Sequence, residues 1–200
     1  TCMMAGVGLT GVFLWYLVRF WVYGKAVVLT SAPLTIPAGF LIAGMAVATL
    51  IGAALASWAA GPISERIEEK NIPVARVVAG ACLLYAAGLA LAWGLGVWST
   101  GTARENGMLL FALISGFAFG IYDSLGLELV MDSLPDPRRA GHDLGIYALA
   151  NSAGLALAAI IGALLVNAFE HSFGYYLLFP SAIVMVLLAG IVTLTTKSAE

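Results

Sequence analysis

An all-α polytopic membrane protein with six transmembrane helices is the fold class this sequence predicts. Two observations predict it. The chain is 62% apolar and only 10% charged, where a soluble domain carries about 25% charged residues. Six long apolar stretches are separated by five short polar loops, and two of those loops, 61–70 and 134–145, hold nine of the twenty charged residues. With a mean hydropathy of +0.99, a 200-residue core could not hide so much apolar surface from water, so lipid is the expected solvent.

Crossing ~30 Å of hydrocarbon takes ~20 helical residues. Six segments qualify: 3–23, 36–60, 74–97, 108–130, 144–168 and 175–194. Helix is required because lipid offers backbone groups no partner, and no segment alternates as a barrel strand does. Between the spans, 30–37 is rich in Ser, Thr and Pro. Gly61-Pro62 is expected to end the second helix, and Asn71-Ile72-Pro73 precedes the third. Residues 99–107 are polar, Pro135-Asp136-Pro137 ends the fourth span, and Asp143 is placed to N-cap the fifth. The whole chain, 1–200, reads as one transmembrane domain. The first residue is Thr1, and the first apolar stretch is too long for a signal peptide and lacks a basic leader. A fragment, or numbering that starts late, is the expectation.

Lysine and arginine set the orientation. One side collects Arg66, Lys70, Arg76, Arg138, Arg139 and Lys197, whereas the other has Lys25 and Arg104, with Arg19 inside the first span. The 61–73 and 131–143 loops and both termini are therefore expected in the cytoplasm of a multi-pass plasma-membrane protein. Trp93 and Trp98 would anchor the outer interface and Trp58 the inner. Small residues recur four apart at Gly116/Gly120, Ala150/Gly154 and Ala158/Gly162, a spacing that lets helix backbones approach closely and reads first as general packing.

The 61–70 segment, Gly61-Pro62-Ile63-Ser64-Glu65-Arg66-Ile67-Glu68-Glu69-Lys70, resembles the loop between the second and third helices of each half in the major facilitator superfamily. That loop reads Gly-x-x-(Ser/Ala)-Asp-Arg-x-Gly-x-(Lys/Arg). Glu65 replaces the usual Asp and Glu68 the usual Gly. A second segment, Leu134-Pro135-Asp136-Pro137-Arg138-Arg139-Ala140-Gly141-His142-Asp143-Leu144-Gly145, is similar to the loop between the tenth and eleventh helices in a subset of bacterial members. His142 stands where Arg is common, and Asn151 follows in place. The resemblance covers all six spans and implies helices seven to twelve of a twelve-helix transporter, with an N-terminal six-helix half as its missing partner. It implies a secondary active transporter of a small molecule working by alternating access. Gly61, Glu65, Arg66, Lys70, Arg138, Arg139 and Asp143 would form a cytoplasmic gate. Independently of the family, charges at a helix end can hold one bundle against another, or can serve only as topology signals.

Ionisable groups at membrane depth are functional candidates. Arg19 could snorkel to headgroups or face a water-filled cavity, and Trp15 lies one turn away on the same face. Asp123 is the group expected to bind a cation or a proton, which would couple transport to an ion. Hydration accounts for Glu128 and Asp132. Tyr147, Asn151 and Gly154 share one face, suited either to a neutral polar ligand or to an interhelical hydrogen bond. By the resemblance, the first and fourth helices line the cavity, which adds Trp15, Tyr16, Arg19, Tyr122 and Asp123 to Tyr147 and Asn151 as candidates.

An intramembrane enzyme needs a nucleophile with a base, or metal ligands, at depth. The two histidines, His142 and His171, fall in loops on opposite sides, and no Cys/His/Asp cluster exists. An enzyme, a metal site and a cofactor are therefore not expected. Cys2 and Cys82 read as small hydrophobes. No basic patch suggests nucleic acid. The partners expected are the bilayer, a small-molecule substrate and a coupling proton or cation. A non-transporting membrane scaffold or an inactive half-transporter is the alternative.

Overall fold

The computed structural model describes residues 1–18, 22, 36–98, 102–132, 140–168 and 171–196. All regular structure among them is helical: α1 (Cys2–Val12), α2 (Leu14–Leu17), α3 (Ile36–Lys70), α4 (Val74–Trp98), α5 (Thr102–Asp132), α6 (Ala140–Ala168) and α7 (His171–Thr196). Five helices, α3 to α7, are long and apolar enough to cross a membrane, as an all-α polytopic membrane protein requires. The first expected span corresponds to α1 and α2, separated at Phe13 (φ −98°, ψ 8°). The Phe13 ring sits directly over Gly162 of α6, where any Cβ would collide with it.

The helices outrun the apolar stretches. Gly61-Pro62 does not end α3, which runs through Pro62 to Lys70, so the 61–70 segment is helix rather than loop. Proline removes one internal hydrogen bond, and α3 here is already leaving the apolar stretch, where water can satisfy the freed carbonyl. The true stop is ten residues later. Asn71 takes φ 55°, and the Ile72 amide donates to the Ile67 carbonyl at 3.0 Å, the closing bond of a Schellman cap. Asn71→Val should cost about 1–2 kcal/mol, because a β-branched residue resists positive φ, whereas Asn71→Gly should cost nothing. Thermal unfolding of the two variants in one detergent checks this. At the other correction, α6 begins at Ala140, so Asp143 lies within its first turn and is not its N-cap.

Two core clusters hold the bundle. The larger is centred on residues such as Met3, Leu9, Leu89, Met108 and Phe179. The smaller joins Ala56, Ile67, Val78, Ala81, Ile121 and Leu125. By contrast α3 and α6 expose Phe40, Leu50, Trp58, Leu149, Ile160 and Leu164. An apolar surface of this kind would drive aggregation in water and is the normal state of a lipid-facing helix.

The tightest contacts reveal an internal repeat. Gly52 on α3 faces the carbonyl of Leu113 and the amide of Phe117 on α5, while Gly154 on α6 faces the carbonyl of Thr1 and the amide of Ala5 on α1. A Cβ on Gly120 would lie 2.6 Å from Ala56 Cβ, with Ala53 next nearest; one on Gly8 would lie 2.6 Å from Ala158 Cβ, with Leu155 next nearest. Every α6 position is 102 residues after its α3 counterpart, and every α5 position 112 after its α1 counterpart. The α3·α5 and α1·α6 pairs are therefore one interface used twice. In both pairs the residue numbers rise together along the contact, so the paired helices run parallel. Thr10 and Gly11 share a cleft with Phe111 and Ala112, whereas Cys2 lies near Tyr122, so α1 and α5 point in opposite directions and the repeat is inverted. Gly52, Gly116 and Gly154 fall in the middle thirds of the apolar stretches 36–60, 108–130 and 144–168, so the contact lies near the centre of the expected spans.

Candidate ligand cleft

A cleft of about 200 Å³ opens where α1, α3, α4 and α5 meet. Its walls come from helical faces in register: Val7, Thr10, Gly11 and Leu14 at i, i+3, i+4 and i+7, and Ile42, Met45, Ala46 and Thr49 at the same spacing. Phe111, Ala112 and Ser115 of α5 close the third side, and Tyr85 of α4 joins them. The Tyr85 ring stands edge-on to Phe111, with centroids 6.1 Å apart at 84°.

Four hydroxyls line these otherwise apolar walls. Thr10 Oγ1 donates to the Val7 carbonyl at 3.1 Å, Thr49 Oγ1 to Met45 at 2.9 Å, and Ser115 Oγ to Ala112 at 3.0 Å. Each thereby spends its only proton on its own helix, as Ser and Thr in apolar helices do. What remains on each oxygen is acceptor capacity. The Tyr85 side chain lies beside Thr10 and adds a phenol that can donate as well as accept. The three aliphatic hydroxyls thus offer lone pairs and suit a ligand that brings donors.

The sequence-predicted residues stand elsewhere. Tyr16, half-buried, stacks on Tyr175 of α7 with centroids 6.1 Å apart at 15°. Trp15 is half-buried beside it, and neither lines the cleft. Arg19 lies outside the described residues, so its two readings stand as before. Tyr122 stacks on Phe119, 6.4 Å between centroids at 24°, and has Tyr147, Asp123 and Cys2 as electrostatic neighbours. Tyr147 of α6 therefore lies near Tyr122, the chain neighbour of Asp123. Asn151 follows Tyr147 one turn along α6, half-buried like it.

This group is related to the cleft by the repeat. The 112-residue step takes Val7, Thr10 and Gly11 to Phe119, Tyr122 and Asp123, and the 102-residue step takes Met45, Ala46 and Thr49 to Tyr147, Ala148 and Asn151. Measured from Gly116, Asp123 is seven residues along α5, or ~10 Å at 1.5 Å per residue, inside the ~15 Å half-thickness of the hydrocarbon. It is exposed, and among the described residues it has no hydrogen-bond or ion-pair partner. A bare carboxylate at that depth costs about 3 kcal/mol unless water or a cation meets it.

In the gate motif, Gly61, Glu65, Arg66 and Lys70 are exposed along the last turns of α3. Arg138 and Arg139 lie outside the described residues, as does the Asp143 side chain. Sequence reasoning missed Thr10, Thr49, Tyr85 and Ser115. The signal was present as hydroxyls within apolar spans, but such residues often serve only their own helix. Comparison with protein-family models, curated proteins and solved structures gives no match.

Proposed function

We propose that the chain is one six-helix half of a secondary active transporter. It would move a small molecule across the plasma membrane by alternating access, with both termini in the cytoplasm and a companion six-helix half completing the site. The inverted repeat carries this reading. Inverted-topology repeats, including paired three-helix units within each six-helix half, recur in transporter folds, where substrate sites lie near the midplane at the repeat interface. Here a hydroxyl-lined cleft and a carboxylate-bearing group occupy equivalent positions on opposite sides of the midplane. The major facilitator resemblance of the 61–70 and 134–145 segments points the same way. Gly61, Glu65, Arg66, Lys70, Arg138, Arg139 and Asp143 would then gate the cytoplasmic end, and a proton or cation at Asp123 would be the route to ion coupling.

Counterflow tests the reading. Proteoliposomes carrying the protein and preloaded with unlabelled compounds should accumulate the labelled counterpart transiently, in a saturable manner, for at least one member of a panel of sugars, amines and carboxylates. Downhill leakage without trans-stimulation for every compound would reject alternating access.

A further inference from the structure

We infer that the chain provides two binding positions for one organic ammonium ion, the cleft at Thr10, Thr49 and Ser115 and its repeat mate at Tyr122, Asp123 and Tyr147. The inference rests on the transporter reading for what these positions are for, and names the substrate class. Three observations carry it.

The first is proton bookkeeping in the cleft. Thr10, Thr49 and Ser115 have each donated to a backbone carbonyl of their own helix, so a ligand meets acceptors there. An alkylammonium, with three N–H donors on an apolar body, matches that demand, while an anion would find lone pairs on three of the four hydroxyls and a single donor at Tyr85. The second is the chemistry of the mate. Asp123 is an exposed carboxylate at membrane depth with no partner among the described residues. Next to it on α5 stands Tyr122, stacked on Phe119, and Tyr147 of α6 lies near Tyr122. Aromatic faces next to a carboxylate recognise ammonium groups, the faces through their quadrupole and the carboxylate through its charge.

The third is the geometry of the repeat. Thr10 is six residues from Met4 and Tyr122 six residues from Gly116, and Met4 and Gly116 are themselves repeat-equivalent. The inverted relation puts Thr10 and Tyr122 on opposite sides of the midplane, about 18 Å apart in depth at 1.5 Å per residue, while Thr49 and Ser115 reach from the Thr10 side toward the midplane beside Gly116. They differ in charge. The cleft is neutral and the mate is anionic, so the same ligand is held by hydrogen bonds at one depth and by an ion pair at the other. A neutral analogue would keep the first and lose the second.

Equilibrium binding of 2-phenylethylammonium and of 2-phenylethanol to the protein in lipid nanodiscs tests this without any flux. The alcohol has nearly the same shape and a donor but no charge. The expected result is two ammonium ions per chain and one alcohol. Asp123→Asn, nearly isosteric, should leave one ammonium site and not change alcohol binding. Thr49→Val should weaken alcohol binding at least tenfold and leave the Asp123-dependent ammonium site. Unfolding midpoints equal to wild type would show that both variants are folded. Ammonium binding unchanged in Asp123→Asn, or equal stoichiometry for the two probes, would overturn the inference. If two-site binding is found but counterflow is absent, the transport reading fails and the assignment of the sites stands.

Discussion

Gly116→Leu will keep α3 and α5 from seating and will cost about 3 kcal/mol or more. Any Cβ at Gly116 would collide with the Thr49 backbone, and one at Gly52 would collide with the Leu113 carbonyl opposite. Backbone cannot rotate away as a side chain can, so the helices themselves would have to separate. Doing so would open the smaller core, where Ala56 meets Ile121 and Leu125, and would pull Thr49 away from the cleft. In lipid no hydrophobic force restores such a contact; close packing between small residues is the main source of helix association. Because the interface is used twice, Gly154→Leu should behave alike on α1·α6. Gly80→Leu and Gly145→Leu should be silent, since nothing lies within 4 Å of a Cβ at either position. Denaturant unfolding in mixed micelles, followed by circular dichroism, compares all four. Equal stability of Gly116→Leu and Gly145→Leu would contradict the packing described.

Filling the cleft will stop transport without unfolding the protein. Gly11 and Ala46 both line the cleft and are exposed, and a Cβ at Gly11 meets nothing within 4 Å. A tryptophan at either position brings an indole into a space of about 200 Å³, most of which it would occupy. Gly11→Trp and Ala46→Trp should each lower counterflow at least tenfold, with unfolding midpoints at the wild-type value. Loss of flux together with loss of stability would mean that the space is structural. Unchanged flux would remove the cleft from the path.

The sequence disclosed more of the fold than of the site, for physical reasons. Hydropathy locates α3 to α7 well because each carries about twenty apolar residues. It misplaces their ends because it reports depth in lipid, not helix length. Residues 61–70 and 102–107 are polar yet helical, since a helix leaving the hydrocarbon need not stop. The stop at Asn71 depended on a left-handed residue before Pro73, a local signal present in the chain. The repeat was not legible. It survives in the matching contacts of Gly52 with Gly154 and Gly8 with Gly120, while the residues around them differ: Thr49 answers to Asn151 and Gly11 to Asp123. Asp123, Tyr122 and Tyr147 stood out because polar groups are rare at that depth, whereas Thr10, Thr49 and Ser115 looked self-satisfied. Only the fold shows that they share one cleft.

Alternating access is the central claim, and cysteine accessibility measures it most directly. In a background of Cys2→Ala and Cys82→Ala, Thr49→Cys and Asn151→Cys place single thiols at repeat-equivalent positions on opposite sides of the midplane. A membrane-impermeant thiol reagent is applied to oriented vesicles from one side and then from the other. The account predicts that Thr49→Cys is modified from one side, Asn151→Cys from the opposite side, and that a transported ligand slows one reaction while speeding the other. Modification of both from the same side, or of neither from any side, would contradict it.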